Sequence, residues 1–298
     1  MNKNSRAAYV YAILTIIFWS TVATAFKIAL KELYLLQLLW VANITSFFAV
    51  LFILLFNGKF RKVFHFSARE YLWSAFLGFL NPFLYYVILF RAYSILPAQI
   101  AQPLNFIWPI VLVLLSVPIL GQKLTLKSFA GLLISFAGVI IISSQGNLKN
   151  FHVDEPIGVF LALASAIIWA LFWIFNMRDK RDDVLKLFLN FFFSAIYISV
   201  ACMLFKVPCF TISTGFYTGI YVGLFEMGIT FVLWLKALQL SESTARISNL
   251  VYITPFLSLV LIRFILKEHI FLTSVAGLIL IILGIIIQKL NNNIKGKY

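Results

Sequence analysis

Residues 97–143 read PAQIAQPLNFIWPIVLVLLSVPILGQKLTLKSFAGLLISFAGVIIIS, two apolar runs (Pro97–Leu120 and Leu124–Ser143) parted by only three residues. A run of about 20 apolar residues is the length of helix that crosses the hydrocarbon core of a bilayer. Slid along the chain by 146 positions, this stretch lands on the last two apolar runs. Pro109 then meets Pro255, Gln122 meets Glu268, Lys123 meets His269, Gly131 meets Gly277 and Gly138 meets Gly284. One run earlier the shift is 145: Gly78 meets Gly223, Asn81 meets Glu226, Arg91 meets Lys236 and Ala92 meets Ala237. Farther out, IIFW ending at Trp19 resembles AIIW ending at Trp169, at a shift of 150. A nearly constant offset, drifting only with loop length, is the mark of an internal repeat.

The remaining runs are Tyr9–Leu30, Leu36–Phe56 and Tyr71–Phe90 in the first half. In the second half they are Pro156–Phe175, Val184–Phe205, Ser213–Leu235, Thr244–Phe264 and Ile270–Ile287. Together they predict an all-α membrane protein with ten transmembrane helices in two repeats, residues 9–144 and 156–290. Composition agrees: 62% of residues are apolar and only 11% are charged, more apolar side chain than a soluble interior can hide. The period-two alternation of a membrane barrel is absent. Because each repeat holds an odd number of spans, the second enters the bilayer from the opposite side. Such inverted repeats carry a substrate site near the midplane, where the halves meet around a central cavity.

The net charge of +14 is carried by short stretches between the apolar runs, so it reads as a topology signal beside anionic lipid rather than a nucleic-acid surface. With the N-terminus inside, 17 Lys and Arg fall on the inner side and 7 on the outer. This predicts a multi-pass protein of the cell membrane with both termini cytoplasmic. Cys202 and Cys209 have no metal spacing, and the three histidines are scattered. No metal, cofactor or phosphate-binding loop is expected.

Charged groups inside spans are costly and mark function by default. Glu226 is the acid that sits mid-span, in GLFEMGITF, and its repeat mate Asn81 lies at the same depth of the third span. An acid there offers a proton to exchange against substrate, or a carboxylate for a substrate amine; it also suits a purely structural hydrogen bond between helices. Trp19, Trp108, Trp169 and Tyr252 lie within spans able to line the cavity, and the amides Asn105 and Asn249 share helices with the prolines. Pro109 and Pro255 read as paired mid-helix kinks, candidates for gating hinges. Lys27, Arg91 and Arg263 lie near outer span ends, where long cationic side chains snorkel to head groups.

These residues resemble the drug/metabolite transporter superfamily, in particular its EamA-type permeases of ten helices. The likeness rests on FWSTVATAFKIAL in the first span, AYSILPAQIAQPLNFIWPIVLVLLSVPILGQKLTLKSFAGLLISFAGVIII across the fourth and fifth, and GLFEMGITFVLWLKALQLSESTARISNLVYITPFLSLVLIRFILKEHI in the second half. Ala237, Pro255 and Glu268 stand as that family's repeats usually read, whereas Gln122 replaces the more common Glu. The Trp108–Pro109 pair is similar to the branch that includes aromatic amino acid exporters. The resemblance implies a cavity lined by spans one, three, four, six, eight and nine, alternating access, and export of a small metabolite such as an amino acid. Protons are a candidate coupling ion. The alternatives are uptake or exchange of another solute, such as a nucleotide sugar or a cationic drug, and a membrane-embedded lipid enzyme. The last would need clustered nucleophiles, acids or metal ligands, which the chain lacks.

Overall fold

The computed structural model describes residues 4–120, 126–144, 155–241, 247 and 250–289, and every regular element among them is helical. Helix α1 is Ser5–Ala29 and α2 is Leu35–Phe56. The third apolar run holds α3 (Ala68–Gly78), a wide π turn (Phe79–Leu84) and α4 (Tyr85–Ile95). The next holds α5 (Ala98–Asn105) and α6 (Trp108–Leu120), and α7 is Leu126–Ser143. The second half begins with α8 (Pro156–Arg178) and α9 (Asp183–Leu204). There follow α10 (Thr214–Val222), a second π turn (Gly223–Gly228) and α11 (Ile229–Leu240). Last come α12 (Thr254–Leu261), running into a third π turn (Ile262–Leu266), and α13 (Leu272–Lys289).

Seven helical stretches among the described residues are long and apolar enough to cross a membrane; Phe129–Ser143, Val251–Leu266 and Leu272–Ile287 form shorter apolar helices. Local chemistry sets where several of them start. Asn4 caps α1, Ser67 and Glu70 form a capping box on α3, Asp182 caps α9 and Ser213 caps α10. Each supplies an acceptor to a first-turn N–H that has no partner within its helix.

The helices pack reciprocally. Helices α2 and α9 lie against each other; α3 packs on α9 while α10 packs on α2. Likewise α4 packs on α8 while α11 packs on α1, and α6 packs on α8 while α12 packs on α1. The contact between α7 and α13 is the most telling. A Cβ on Gly138 would fall 2.6 Å from the Gly277 carbonyl oxygen, and one on Gly277 would fall 2.6 Å from that of Gly138. A Cβ on Gly284 would collide with the Gly131 carbonyl. As α7 runs from 131 to 138, α13 therefore runs from 284 to 277, so the two helices are antiparallel. Between these contacts Ser135 donates to the carbonyl of Ile281 at 3.0 Å, its own mate at the 146-residue offset. Glycines permit this approach because no Cβ holds the backbones apart, the usual device where lipid gives no hydrophobic drive between helices.

The expected position of the prolines needs correction. Pro109 and Pro255 do not kink the middle of a helix. Each lies in a first turn, Pro109 as the second residue of α6 after a break at Phe106–Ile107, and Pro255 as the second residue of α12 after a 3₁₀ turn at Val251–Ile253. Proline suits that position, where its missing N–H has no helical partner to lose.

Candidate substrate site

Both π turns that interrupt the third and eighth apolar runs sit on the residue pair singled out by the repeat: Asn81 in Phe79–Leu84 and Glu226 in Gly223–Gly228. In the first, Asn81 is extended (φ −149°, ψ 122°) because it precedes Pro82, whose ring disfavours helical backbone at the residue before it. The second has no proline; Gly223 presses on the Ala42 carbonyl, and the Ser46 hydroxyl donates to the Gly223 carbonyl at 2.8 Å. Inserted π turns widen a helix and aim side chains off its regular face, a frequent device at functional sites.

Glu226 and Asn81 are both buried, 7% and 2% exposed, so both point into the protein rather than toward lipid. The Tyr86 hydroxyl donates to Glu226 Oε1 at 2.9 Å, and Trp19 Nε1 donates to the Glu226 carbonyl at 3.2 Å. Tyr86 stacks edge-on to Tyr85 at 4.6 Å between ring centroids. The Tyr85 hydroxyl donates to Asn105 Oδ1 at 3.3 Å, and Asn105 Nδ2 donates to Ser165 Oγ at 2.8 Å. Two hydrogen-bonded segments, joined through the neighbouring rings of Tyr85 and Tyr86, thus link the eighth, third, fourth and sixth apolar runs. Aromatic rings enclose them: Trp169 lies 4.7 Å from Tyr85 and 5.7 Å from Phe231, and Trp19 lies 5.6 Å from Trp234.

Several buried polar atoms near these segments have no protein partner. They include the donors Asn81 Nδ2, Trp169 Nε1 and Trp173 Nε1 and the acceptor Gln102 Oε1. Buried polar groups are otherwise almost always paired. A carboxyl group, two phenols, aromatic walls and unpaired indole donors together suit a small amphipathic molecule with a polar head. Among the described residues no group of three His, Cys, Asp or Glu could hold a metal.

A family model described as "EamA-like transporter family" matches the chain twice, over residues 6–144 and 156–288. The chain belongs to the EamA-like transporter family. It is 25% identical to the uncharacterized transporter YvbV of Bacillus subtilis over 72% of this chain and 70% of that protein. It is 24% identical to an uncharacterized transporter of Archaeoglobus fulgidus over 92% of this chain and 95% of that one. The aromatic amino acid exporter YddG of Ancylobacter novellus is 24% identical over 60% of this chain and 62% of its own length. A solved crystal structure, 20% identical, superposes with a TM-score of 0.68 over 96% of this chain and 98% of its own, which speaks for the fold alone. Family and relatives point to a transporter, multi-pass in a membrane, rather than to an enzyme.

In this EamA-like transporter, four of the expected site residues, Glu226, Trp19, Asn105 and Trp169, fall in one connected cluster. Tyr252 is buried with its ring 6.2 Å from Phe106, the neighbour of Asn105. Trp108 is half-buried against the core, and Asn249 lies outside the described residues. Asn81 is enclosed on the π turn just ahead of Tyr85 and Tyr86. Sequence reasoning missed Tyr85, Tyr86, Ser165 and Phe231, which lie among many similar residues. The signal that was available was Asn81–Pro82, a pre-proline break one turn before the tyrosines. Two surface hollows, one at the junction of α3 and α8 and one between α2 and α11, include no member of the cluster.

Proposed function

We propose that this protein is a secondary transporter that moves a small metabolite, with an amino acid as the leading candidate, across the cytoplasmic membrane. Two inverted five-helix repeats, ten spans in all, rock about the Glu226 cluster to give alternating access. The observation that carries the reading is an acid buried at mid-span, held by Tyr86 and walled by Trp19, Trp169 and Phe231 at the turn where the repeat pair interrupts its helices. An ionisable side chain at that depth is costly, which marks it as a functional candidate by default. The antiparallel, mutually matched contact of α7 with α13 supports the inverted arrangement. The aromatic exporter YddG among the relatives favours amphipathic amines over polyphosphates, which an acid would repel.

Asn81, Trp108, Tyr252 and Asn249 complete the proposed lining, with Pro109 and Pro255 at the breaks that let α6 and α12 swing. Counterflow in proteoliposomes tests the proposal with a panel of radiolabelled solutes covering amino acids, nucleotide-linked sugars and organic cations. Accumulation of an amino acid supports it. Accumulation of only nucleotide sugars, or of no solute in the panel, sinks it.

A further inference from the structure

The hollow of about 570 Å³ between α3 and α8 includes no residue of the acid cluster and is lined mainly by charged side chains. Four cations face it: Arg69 on α3, and Arg178, Lys180 and Arg181 at the end of α8 and the connector beyond. Its two acids are already engaged. Glu70 Oε2 accepts from the backbone and hydroxyl of Ser67, both at 2.7 Å, and Asp179 accepts from Arg181 Nε at 3.0 Å. Arg181 is spent on that pair and on the Glu70 carbonyl and Ser74 hydroxyl. Among the described residues, Arg69, Arg178 and Lys180 form no ion pair. Four cations against two carboxylates leave the concavity net positive, with Arg178 also donating to the Ile119 carbonyl at 2.7 Å, and a net-positive concavity suits a phosphate.

The wall beneath them decides which phosphate. Trp73, Phe76 and Phe175 form a mutual aromatic triad with centroids 5.4–5.9 Å apart. From there the exposed side chains Leu72, Phe76 and Phe79 continue down the same side of the third run, and Met177 is exposed on α8. A cationic mouth above an indole and an open apolar track matches a lipid: head group, interface and acyl chain in order. A free ion would use only the mouth.

We propose that this hollow is a binding site for an anionic glycerophospholipid. Arg69, Arg178 and Lys180 hold its phosphate, Trp73 packs at the level of the glycerol, and one acyl chain lies along Leu72, Phe76 and Phe79. The site is separate from the transport cluster and commits this face to the anionic leaflet.

Native mass spectrometry of the detergent-purified protein with added phosphatidylglycerol or phosphatidylcholine tests it. The wild type should retain phosphatidylglycerol selectively. The variant R69Q/R178Q/K180Q should retain it at least about tenfold more weakly, given the contribution of each cation near an anionic head group. The charge-matched control K31Q/R91Q/K206N, altered at the opposite end, should behave as wild type. Excess inorganic phosphate should fail to displace the lipid. A second readout needs no charge removal: phosphatidylglycerol with brominated chains should quench tryptophan fluorescence, and Trp73→Phe should remove part of that quench. Equal retention by the triple variant, displacement by inorganic phosphate, or a quench unchanged in Trp73→Phe would each overturn the assignment.

Discussion

Tyr86 and Glu226 meet at 2.9 Å from opposite halves of the chain, both out of reach of bulk solvent. If the Glu226 proton is exchanged during transport, Glu226→Gln keeps the shape and the hydrogen bond but removes the exchange. The expected outcome is substrate counterflow that survives while the substrate-driven pH signal in the vesicles disappears. A pH signal of normal size in that variant rules out the acid as the coupling group and leaves it a helix-joining role. Tyr86→Phe removes the donor and strands a buried acceptor, which costs about 1–3 kcal/mol. The thermal midpoint in a fixed detergent should fall, and more than for Tyr217→Phe on the exposed face of α10.

Between α7 and α13 the backbones approach closely enough that any side chain at the crossing must displace a carbonyl. Gly138→Ala therefore drives its new methyl against Gly277, an overpacking that typically costs about 1–3 kcal/mol. Its thermal midpoint should drop, and Gly277→Ala should drop it comparably, because each glycine faces the other's carbonyl. A large asymmetry between the two variants would contradict the reciprocal geometry. The π turns at Phe79–Leu84 and Gly223–Gly228 belong to this scale as well. Each ends a regular helix just where the repeat pair Asn81 and Glu226 enters the interior.

At the scale of the molecule, the connectors among the described residues gather in two groups. At one end Lys59 binds Asp182 at 2.6 Å, and the Arg181 guanidinium lies 5.0 Å from the Phe66 ring. At the other, Glu32 accepts from the Gly215 backbone, and Glu268 accepts from the first N–H groups of α5. Two of the acids in the ion pairs at the first end, Asp179 and Asp182, are held below their usual range. Burial alone would raise the Asp182 carboxyl, but the Lys59 ammonium and the N–H groups of α9 outweigh it and hold the carboxyl below its usual range. Asp179, held by Arg181 against the same burial penalty, behaves alike. A carboxyl depressed in the folded state lends stability above its unfolded value of about 3.9, and that stability fades as pH falls through the lower folded value. The thermal midpoint should therefore decline below about pH 4, less steeply in Asp182→Asn, which keeps the α9 cap but loses the charge. Orientation is tested at this scale too. In a Cys202→Ala/Cys209→Ala background, Lys62→Cys should label only from the cytoplasmic side and Lys206→Cys only from outside. The reverse pattern would invert the protein in the membrane.

Length and apolarity of the runs determined a helical, membrane-embedded chain by themselves, because hydrocarbon leaves the backbone no partner but its own helix. The repeat was legible too: Gly and Pro cannot be exchanged freely where backbones touch or helices begin, so their spacing survives in the sequence. The mid-span position of Glu226 stood out because charge is rare at that depth. Only the tertiary structure decided that Pro109 and Pro255 open helices instead of bending them. The breaks lie two to four residues earlier, and proline chemistry alone permits either arrangement. Likewise only packing singled out Tyr85, Tyr86, Ser165 and Phe231 from a chain that is 17% aromatic. Which ring meets which amide or acid is set by side chains 20 and 140 positions apart, and no local pattern in the sequence encodes a contact at that range.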